Sequence, residues 1–310
     1  MKKDIYPLAI IGSGIAGMTA SIYASRYQIK HLIVGNIPGG VMSESVMVEN
    51  FPGFKSISGF ELAKKIEEQV KHYKPMWERN EVIKIKEENN AFKIETKNSK
   101  IFWARFLLLA VGTKRRHLGV KGEEELVGKG VHYCVTCDGY FYKNKDVLVI
   151  GGGDAGVTAA LSIADSVRKI YLLNNLSKLT AMPFWQKKLK QKKNVEFIMD
   201  NNVLGFAGKD KLEKVLLQKE YKGTKELKVD GVFIEIGSMP NTDLALDLKL
   251  KLDEKGFVKV SDGQQSSHQF VYACGDVASS SNHFHQMLTA ASEGAVAVNA
   301  IYQEINKNRI

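Results

Sequence analysis

The chain has 310 residues, 44% of them hydrophobic and 25% charged. That is enough apolar content to bury cores and more length than one domain usually holds, so two domains are expected and a disordered chain is excluded. Forty-four Lys and Arg against 34 Asp and Glu give a net charge of +10, which suits an acidic partner, an anionic membrane or a nucleic acid, but no basic stretch is interleaved with aromatics and no nucleic-acid motif is present.

The first twenty-five residues combine a basic start, an apolar stretch and small side chains, as a secretory leader does. Asp4 and Pro7 interrupt that pattern, and Gly12, Gly14 and Gly17 fall at a spacing with a mechanism of its own. No other apolar run approaches the ~20 residues of a membrane span, so a cytoplasmic protein is expected. Ile5–Ile11 reads as a buried strand, GSGIAG as a turn, the next residues as a helix to about Tyr27, and His31–Val34 as a second strand: a βαβ opening. The first glycine permits a tight turn, the second lets backbone approach a pyrophosphate, and the third lets helix and strand pack closely. The helix N-terminus then offers unpaired N–H groups to phosphate. Such a turn can also serve the fold alone. Gly12, Ser13, Gly14, Ala16 and Gly17 are the candidate cofactor residues. Asn36 stands where an acid would hold the ribose, and an amide can make that hydrogen bond without the charge.

Val82–Thr96 alternates as antiparallel strands around a turn at Asn89–Asn90. Phe106–Thr113 reads as a buried strand ending in a glycine turn at Gly112. Then the opening pattern recurs: strand Asp146–Ile150, turn GGGDAG, helix Val157–Asp165, strand Lys169–Leu173. Val229–Thr242 closes this second unit as Phe106–Thr113 closes the first. Lys114–His117 and Ser238–Asn241 are the expected crossings between domains, and a C-terminal helix from about Gln286 returns to the first. The class is therefore α/β: two Rossmann-like, three-layer dinucleotide-binding domains, residues 1–115 with 244–310 and, inserted into them, residues 116–243.

Of the three cysteines, Cys134 and Cys137 form CVTC. Three are too few for a secreted disulfide framework. Zinc requires two further ligands at comparable spacing, and only His132 is near. A redox-active disulfide is the better reading, because the short loop holds two sulfurs within bonding reach and lowers one thiol pKa. Asp138 follows directly; a carboxyl there can shuttle the proton that thiol–disulfide exchange requires. Cys274 reads as a small buried hydrophobe.

These motifs, in this order, resemble the low-molecular-weight thioredoxin reductases, flavoproteins of the two-dinucleotide-domain kind, over nearly the whole chain. GSGIAG resembles their FAD turn, and Pro38–Phe54, with Gly39, Gly40, Val41 and Asn50, the segment along the flavin. CVTCDGYF is close to their redox signature. In ACGDV, Gly275 and Asp276 resemble the C-terminal flavin motif, with Asp276 expected to bond the ribityl chain. His285, Gln286 and Met287 match the segment at the flavin pyrimidine edge. The resemblance implies FAD and a homodimer. It also implies that the Cys134–Cys137 disulfide accepts two electrons from reduced flavin, with Cys137 facing the flavin, Cys134 attacking the disulfide of a thioredoxin-like protein, and Asp138 as acid–base group.

The second glycine turn supplies Gly151, Gly153, Asp154, Ala155 and Gly156 as a candidate nucleotide site, with Asn174 and Asn175 at the end of the following strand. NADPH-dependent relatives carry a His-Arg-Arg run and a further Arg there. The aligned residues are Asn174, Asn175, Leu176 and Thr180, none of them a cation. An arginine binds the 2′-phosphate by paired, charge-assisted bonds. NADPH and NADH both stay open, but another donor is favoured, such as ferredoxin or a reduced deazaflavin. Val41, where relatives have glutamine, is a second departure. The cluster Lys187, Lys188, Lys190, Lys192 and Lys193 reads either as a solvated helix face or as a docking patch for an acidic carrier. The competing functions are a dithiol oxidase using oxygen and a flavin redox sensor without turnover.

Overall fold

The computed structural model describes residues 4–45 and 47–307; Met1–Lys3 of the basic start and Val46 of the Pro38–Phe54 segment lie outside the described residues. The chain divides into two units, Met1–Lys114 with Met239–Ile310, and Arg115–Ser238.

The first unit opens with β1 (Ile5–Ile11), α1 (Ile15–Arg26) and β2 (His31–Val34). The apolar stretch that resembles a leader is thus a strand and a helix of the fold. α2 (Gly59–His72) starts at a capping box, in which Ser58 accepts from the Glu61 N–H and Glu61 takes the Ser58 N–H. β3 (Met76–Glu78), β4 (Val82–Glu88), β5 (Ala91–Thr96) and β6 (Ile101–Leu109) follow. Asn89 and Asn90, between β4 and β5, have φ of 52° and 59°, the left-handed pair that matches hairpin twist. β6 begins before the apolar run at Phe106, because Ile101–Ala104 pairs antiparallel with β5.

After β7 (Thr113–Arg115) the second unit holds α3 (Glu123–Leu126), β8 (Val131–His132), α4 (Val135–Asp138), β9 (Asp146–Ile150), α5 (Asp154–Ile163), β10 (Lys169–Leu173) and α6 (Pro183–Lys190). α5 starts earlier than Val157, since the glycine turn leads straight into it and Val157 N donates to Gly153 O at 3.0 Å. β11 (Val195–Ile198), β12 (Val203–Ala207), β13 (Lys214–Tyr221), β14 (Thr224–Leu227) and β15 (Gly231–Ile234) complete it. The chain returns through β16 (Ser238–Pro240), α7 (Asp243–Asp247), β17 (Val271–Ala273) and α8 (Met287–Lys307). The return falls at Met239 rather than residue 244, because Asn241 N donates to Gly112 O at 3.0 Å and Asp243 pairs with Lys114, both within the first unit.

In the first unit β3-β2-β1-β6 run parallel, and β6 forks, pairing with antiparallel β5 along its first half and parallel β17 along its second. Leu8 and Ile10 pack into the core that holds α1 and α8; Ala9 and Ile11 face the opposite core with Ile85, Phe92 and Ile94, as the two-residue period of a strand requires. In the second unit β11-β10-β9-β15-β8 is parallel, with the β12-β13-β14 meander as a separate sheet. Val147 and Val149 pack with α5, and Leu148 and Ile150 with Phe206 and Val215 of the meander. Both units are three-layer dinucleotide-binding folds. Among the described residues, no helix is long and apolar enough to cross a membrane.

Candidate functional site

The two glycine turns have the same geometry. Gly12 has φ +113°, and a Cβ there would lie 2.1 Å from Ala110 O; Gly151 has φ +130°, with the same distance to Glu235 O. A Cβ on Gly17 would lie 2.0 Å from Gly12 O, and one on Gly156 2.0 Å from Gly151 O. Only glycine fits all four positions. The turns differ in their second residue. In the first unit Ser13 packs over Gly35 and donates to Ile37 O at 2.9 Å. In the second the sizes are exchanged, with Gly152 lying under Asn174.

A cavity of about 800 Å³ opens at the first turn, within the range of cofactor sites. Gly12, Ser13, Gly14, Ala16, Asn36, Gly39, Gly40 and Val41 line it, as do Gly112, Gly275, Asp276, His285, Gln286 and Met287. Gly17 packs behind the turn. Gly39 N donates to Ser13 O at 2.8 Å and so ties the Pro38–Phe54 segment to the turn. Asn50 Nδ2 donates to Gln286 Oε1 at 3.0 Å, joining two predicted site residues far apart in sequence. Burial pushes the Asp276 carboxyl up, nearby Glu293 adds to this, and His285 opposes it. His285 Nε2 is buried with no partner among the described residues. Glycine backbone for a pyrophosphate, a largely buried carboxyl and an unpartnered imidazole nitrogen in one cavity fit FAD. Cys274 lies in the wall, where burial pushes its thiol up.

One residue here has no motif to announce it. Glu293, buried on α8, accepts from Gly275 N at 2.7 Å and from Ser281 Oγ at 2.5 Å. It fixes the Gly275–Asp276 loop from the helix side.

In the second unit Cys134 and Cys137 are joined as a disulfide. The Cys134 sulfur also accepts from Cys137 N at 3.1 Å, closing the α4 turn. Asp138 is half-buried, and its Oδ2 lies 3.1 Å from His132 Nδ1. Tyr140, 84% exposed, and exposed Phe141 project beside it. Glu123 anchors the approach to the dithiol: it accepts from the N–H groups of Leu118, Gly119 and Val120 and from the Tyr133 hydroxyl at 2.6 Å. Burial works to raise the Glu123 carboxyl, but the Tyr133 hydroxyl and the three backbone donors together hold it below the ordinary carboxylate value.

At the second turn Gly151, Gly153, Asp154, Ala155 and Gly156 keep the dinucleotide-binding shape. Asp154 Oδ1 accepts from Met182 N at 2.7 Å. The two asparagines separate. Asn174 is 5% exposed, and its Nδ2 donates to Leu176 O at 3.1 Å and Lys178 O at 2.9 Å. It occupies the position of Gly35 in the first unit, and its amide holds its own loop closed. The counterpart of Asn36 is Asn175, which is exposed, as are Leu176 and Thr180. Lys188, on α6, lies over the Phe184 ring at 4.3 Å, and Lys192, just beyond the helix, pairs with Asp165 at 2.7 Å; Lys187, Lys190 and Lys193 are exposed.

Comparison with known proteins agrees with this geometry. Residues 6–294 match the pyridine nucleotide-disulphide oxidoreductase family. A thioredoxin reductase of Mycoplasma genitalium is 34% identical over 98% of both chains. A 34.2 kDa protein in the rubredoxin operon of Clostridium pasteurianum is 37% identical over 94% of both. The crystal structure of T. acidophilum thioredoxin reductase superposes with a TM-score of 0.90 at 36% identity, covering 98% of this chain and 100% of that one. The Lactococcus lactis thioredoxin reductase structure gives 0.91 at 31% identity, covering 97% and 99%. The chain therefore belongs to the pyridine nucleotide-disulphide oxidoreductases, as a flavoprotein disulfide reductase of the low-molecular-weight thioredoxin reductase family.

Proposed function

We propose that this chain reduces the disulfide of a thioredoxin-like protein at Cys134–Cys137, with FAD in the first unit and an electron donor other than NADPH. The observation that carries the substrate is the Cys134–Cys137 disulfide on a short turn, with Tyr140 and Phe141 exposed beside it; exposed aromatics next to a reactive disulfide suit a protein partner. FAD, when bound, supplies a two-electron carrier between donor and disulfide. The Gly12–Gly17 turn and the N-terminus of α1 would receive its pyrophosphate. Asp276, its carboxyl pushed up by burial, would bond the ribityl chain, and His285, Gln286 and Met287 would meet the ring edge. Cys134 attacks the partner disulfide, Cys137 resolves the mixed disulfide, and Asp138 handles the proton. The enzyme works as a cytoplasmic homodimer.

The donor reading rests on the end of β10. Asn174 is committed to its loop, and Asn175, Leu176 and Thr180 carry no charge for a 2′-phosphate. The intact second turn supports a bound pyridine nucleotide of some kind; the exposed lysines on and just after α6 and a relative from a rubredoxin operon favour an acidic electron-carrier protein such as ferredoxin. Anaerobic titration of the FAD-loaded protein tests this, following the oxidised-flavin absorbance with NADPH, NADH and reduced ferredoxin in turn. Bleaching by ferredoxin alone supports the reading; bleaching by micromolar NADPH overturns it.

A further inference from the structure

We propose that His132, locked in place by Tyr142, is the positioning residue for Asp138, so that the acid–base group of the dithiol is a three-residue chain, Asp138–His132–Tyr142. This rests on the reading of Cys134–Cys137 as the reactive disulfide. His132 ends β8 with its side chain 8% exposed and places Nδ1 3.1 Å from Asp138 Oδ2. Its other nitrogen, Nε2, lies 2.6 Å from the Tyr142 hydroxyl. The ring cannot turn away. It stacks on Phe233 with centroids 5.5 Å apart, and Tyr142 meets it edge-on at 5.4 Å. Tyr142 is wedged in turn against Gly231, where a Cβ would fall 2.2 Å from a ring carbon.

The pairing fixes the tautomer. Burial first, then the charges of Asp138 and Asp230, push the Tyr142 phenol up to about 12, so it keeps its proton and donates it. The acceptor is His132 Nε2. With Nε2 accepting, the His132 N–H is on Nδ1, aimed at Asp138. Two groups face His132 directly, Asp138 and Tyr142. Tyr142 also faces Asp230, and the Lys145 ammonium lies 5.4 Å from its ring centroid. Asp230 is occupied by the Asp146 N–H at 2.9 Å, and Asp146 by Arg168 at 2.7 Å. A core histidine that served packing alone would not spend Nδ1 on a carboxyl that is 33% exposed and next to Cys137.

The Asp138 carboxylate takes the proton of the Cys134 thiol. The Cys134 thiolate attacks a partner sulfur, the mixed disulfide forms, the partner S–S bond breaks, and Asp138 returns the proton to the departing thiolate. Asp138 next takes the Cys137 proton. The Cys137 thiolate attacks Cys134 Sγ, the Cys134–Cys137 bond forms, the mixed disulfide breaks, and the second partner thiolate takes that proton. Two electrons and two protons leave the enzyme dithiol, and both reach the partner. Asp138 alternates between acid and carboxylate, and the His132 Nδ1–H holds one of its oxygens in place.

The test uses the full-length, FAD-loaded protein reduced with dithionite and mixed in a stopped-flow cell with the small disulfide dithiobis(nitrobenzoate), from mildly acid to mildly alkaline pH. Cys134→Ser gives the baseline for direct reduction by flavin. His132→Ala should slow exchange ~10-fold or more, the scale of a bond to a charged group, and move the rate–pH profile to higher pH. His132→Asn, which keeps an N–H near the Nδ1 position, should restore most of the rate and the profile. Tyr142→Phe should fall between them. Profiles that superimpose on wild type after scaling would leave His132 a structural residue and overturn the proposal. If His132→Ala does not fold, His132→Asn with Tyr142→Phe decide: Tyr142→Phe with an unmoved profile overturns it. A wild-type dithiol that forms but does not exchange above the baseline sinks the disulfide-reductase reading instead.

Discussion

Grafting arginine at Asn175 and Leu176, while leaving Asn174 alone, should create a site for the 2′-phosphate of NADPH. Asn175 is the structural counterpart of Asn36, and both grafted positions are exposed, Leu176 by 51%, so neither change disturbs a core. Each charge-assisted contact to a phosphate contributes about 1.5–3 kcal/mol. Two of them contribute about 3–6 kcal/mol, which is roughly 10²–10⁴-fold in affinity at 1.4 kcal/mol per decade. NADH lacks the phosphate and should gain almost nothing, so the readout is a ratio rather than a single constant. The assay is anaerobic titration of each variant with NADPH and with NADH, following flavin bleaching and, separately, binding to the oxidised protein. A variant that keeps flavin and fold, yet binds NADPH no better relative to NADH, would refute the reasoning. Residues 175 and 176 would then not face the ribose, and the missing arginines would not explain donor choice.

Four further outcomes follow from the same coordinates. Asn174→Ala removes the two hydrogen bonds that a buried amide makes to its loop and should cost about 2 kcal/mol, read as a lower urea midpoint, whereas Asn175→Ala should change it by less than about 0.5 kcal/mol. Glu293→Ala strips a buried acceptor from Gly275 N and Ser281 Oγ; a loss of about 3 kcal/mol and flavin release on gel filtration are expected, with Glu293→Gln milder in both. The Glu123 carboxyl is held below its ordinary value, so its stabilising contribution is complete above the ordinary carboxylate range and disappears as pH falls through the lowered folded value. The stability gap between wild type and Glu123→Gln should therefore shrink as the solution is acidified, and a gap that widens would contradict that sign. If the exposed lysines in the last turn of α6 and just beyond it dock an acidic carrier, turnover with that carrier should fall with added salt, and Lys187→Glu with Lys190→Glu should weaken the dependence; salt-independent turnover removes the patch from the mechanism.

Local rules make much of this protein legible in its sequence. Strands β1, β2, β9 and β10 lie at the bounds their apolar runs predict, because a buried parallel strand is a continuous apolar run closed by a turn residue, glycine after β1, β2 and β9 and asparagine after β10. The two glycine turns were equally plain, since the steric demand on Gly12, Gly17, Gly151 and Gly156 comes from backbone a few residues away or at the facing strand end. The Cys-x-x-C pair bonds across its own turn. What the linear order hides is how side chains distant in sequence divide their work. Asn174 and Asn175 look alike in the chain, but Gly152 leaves a gap that only the first can fill, which turns its amide inward. Glu293 has no motif because its partners, Gly275 and Ser281, come together with it only when α8 packs. His132 reads as a stray histidine near two cysteines until the turn after Cys137 swings Asp138 and Tyr142 onto its two nitrogens. Sequence alone determined the two dinucleotide folds and the dithiol, because their signals are periodic or local. Tertiary structure decided which polar side chains are spent on the fold and which are left for chemistry, because a hydrogen bond depends on which donors and acceptors burial brings within about 3 Å.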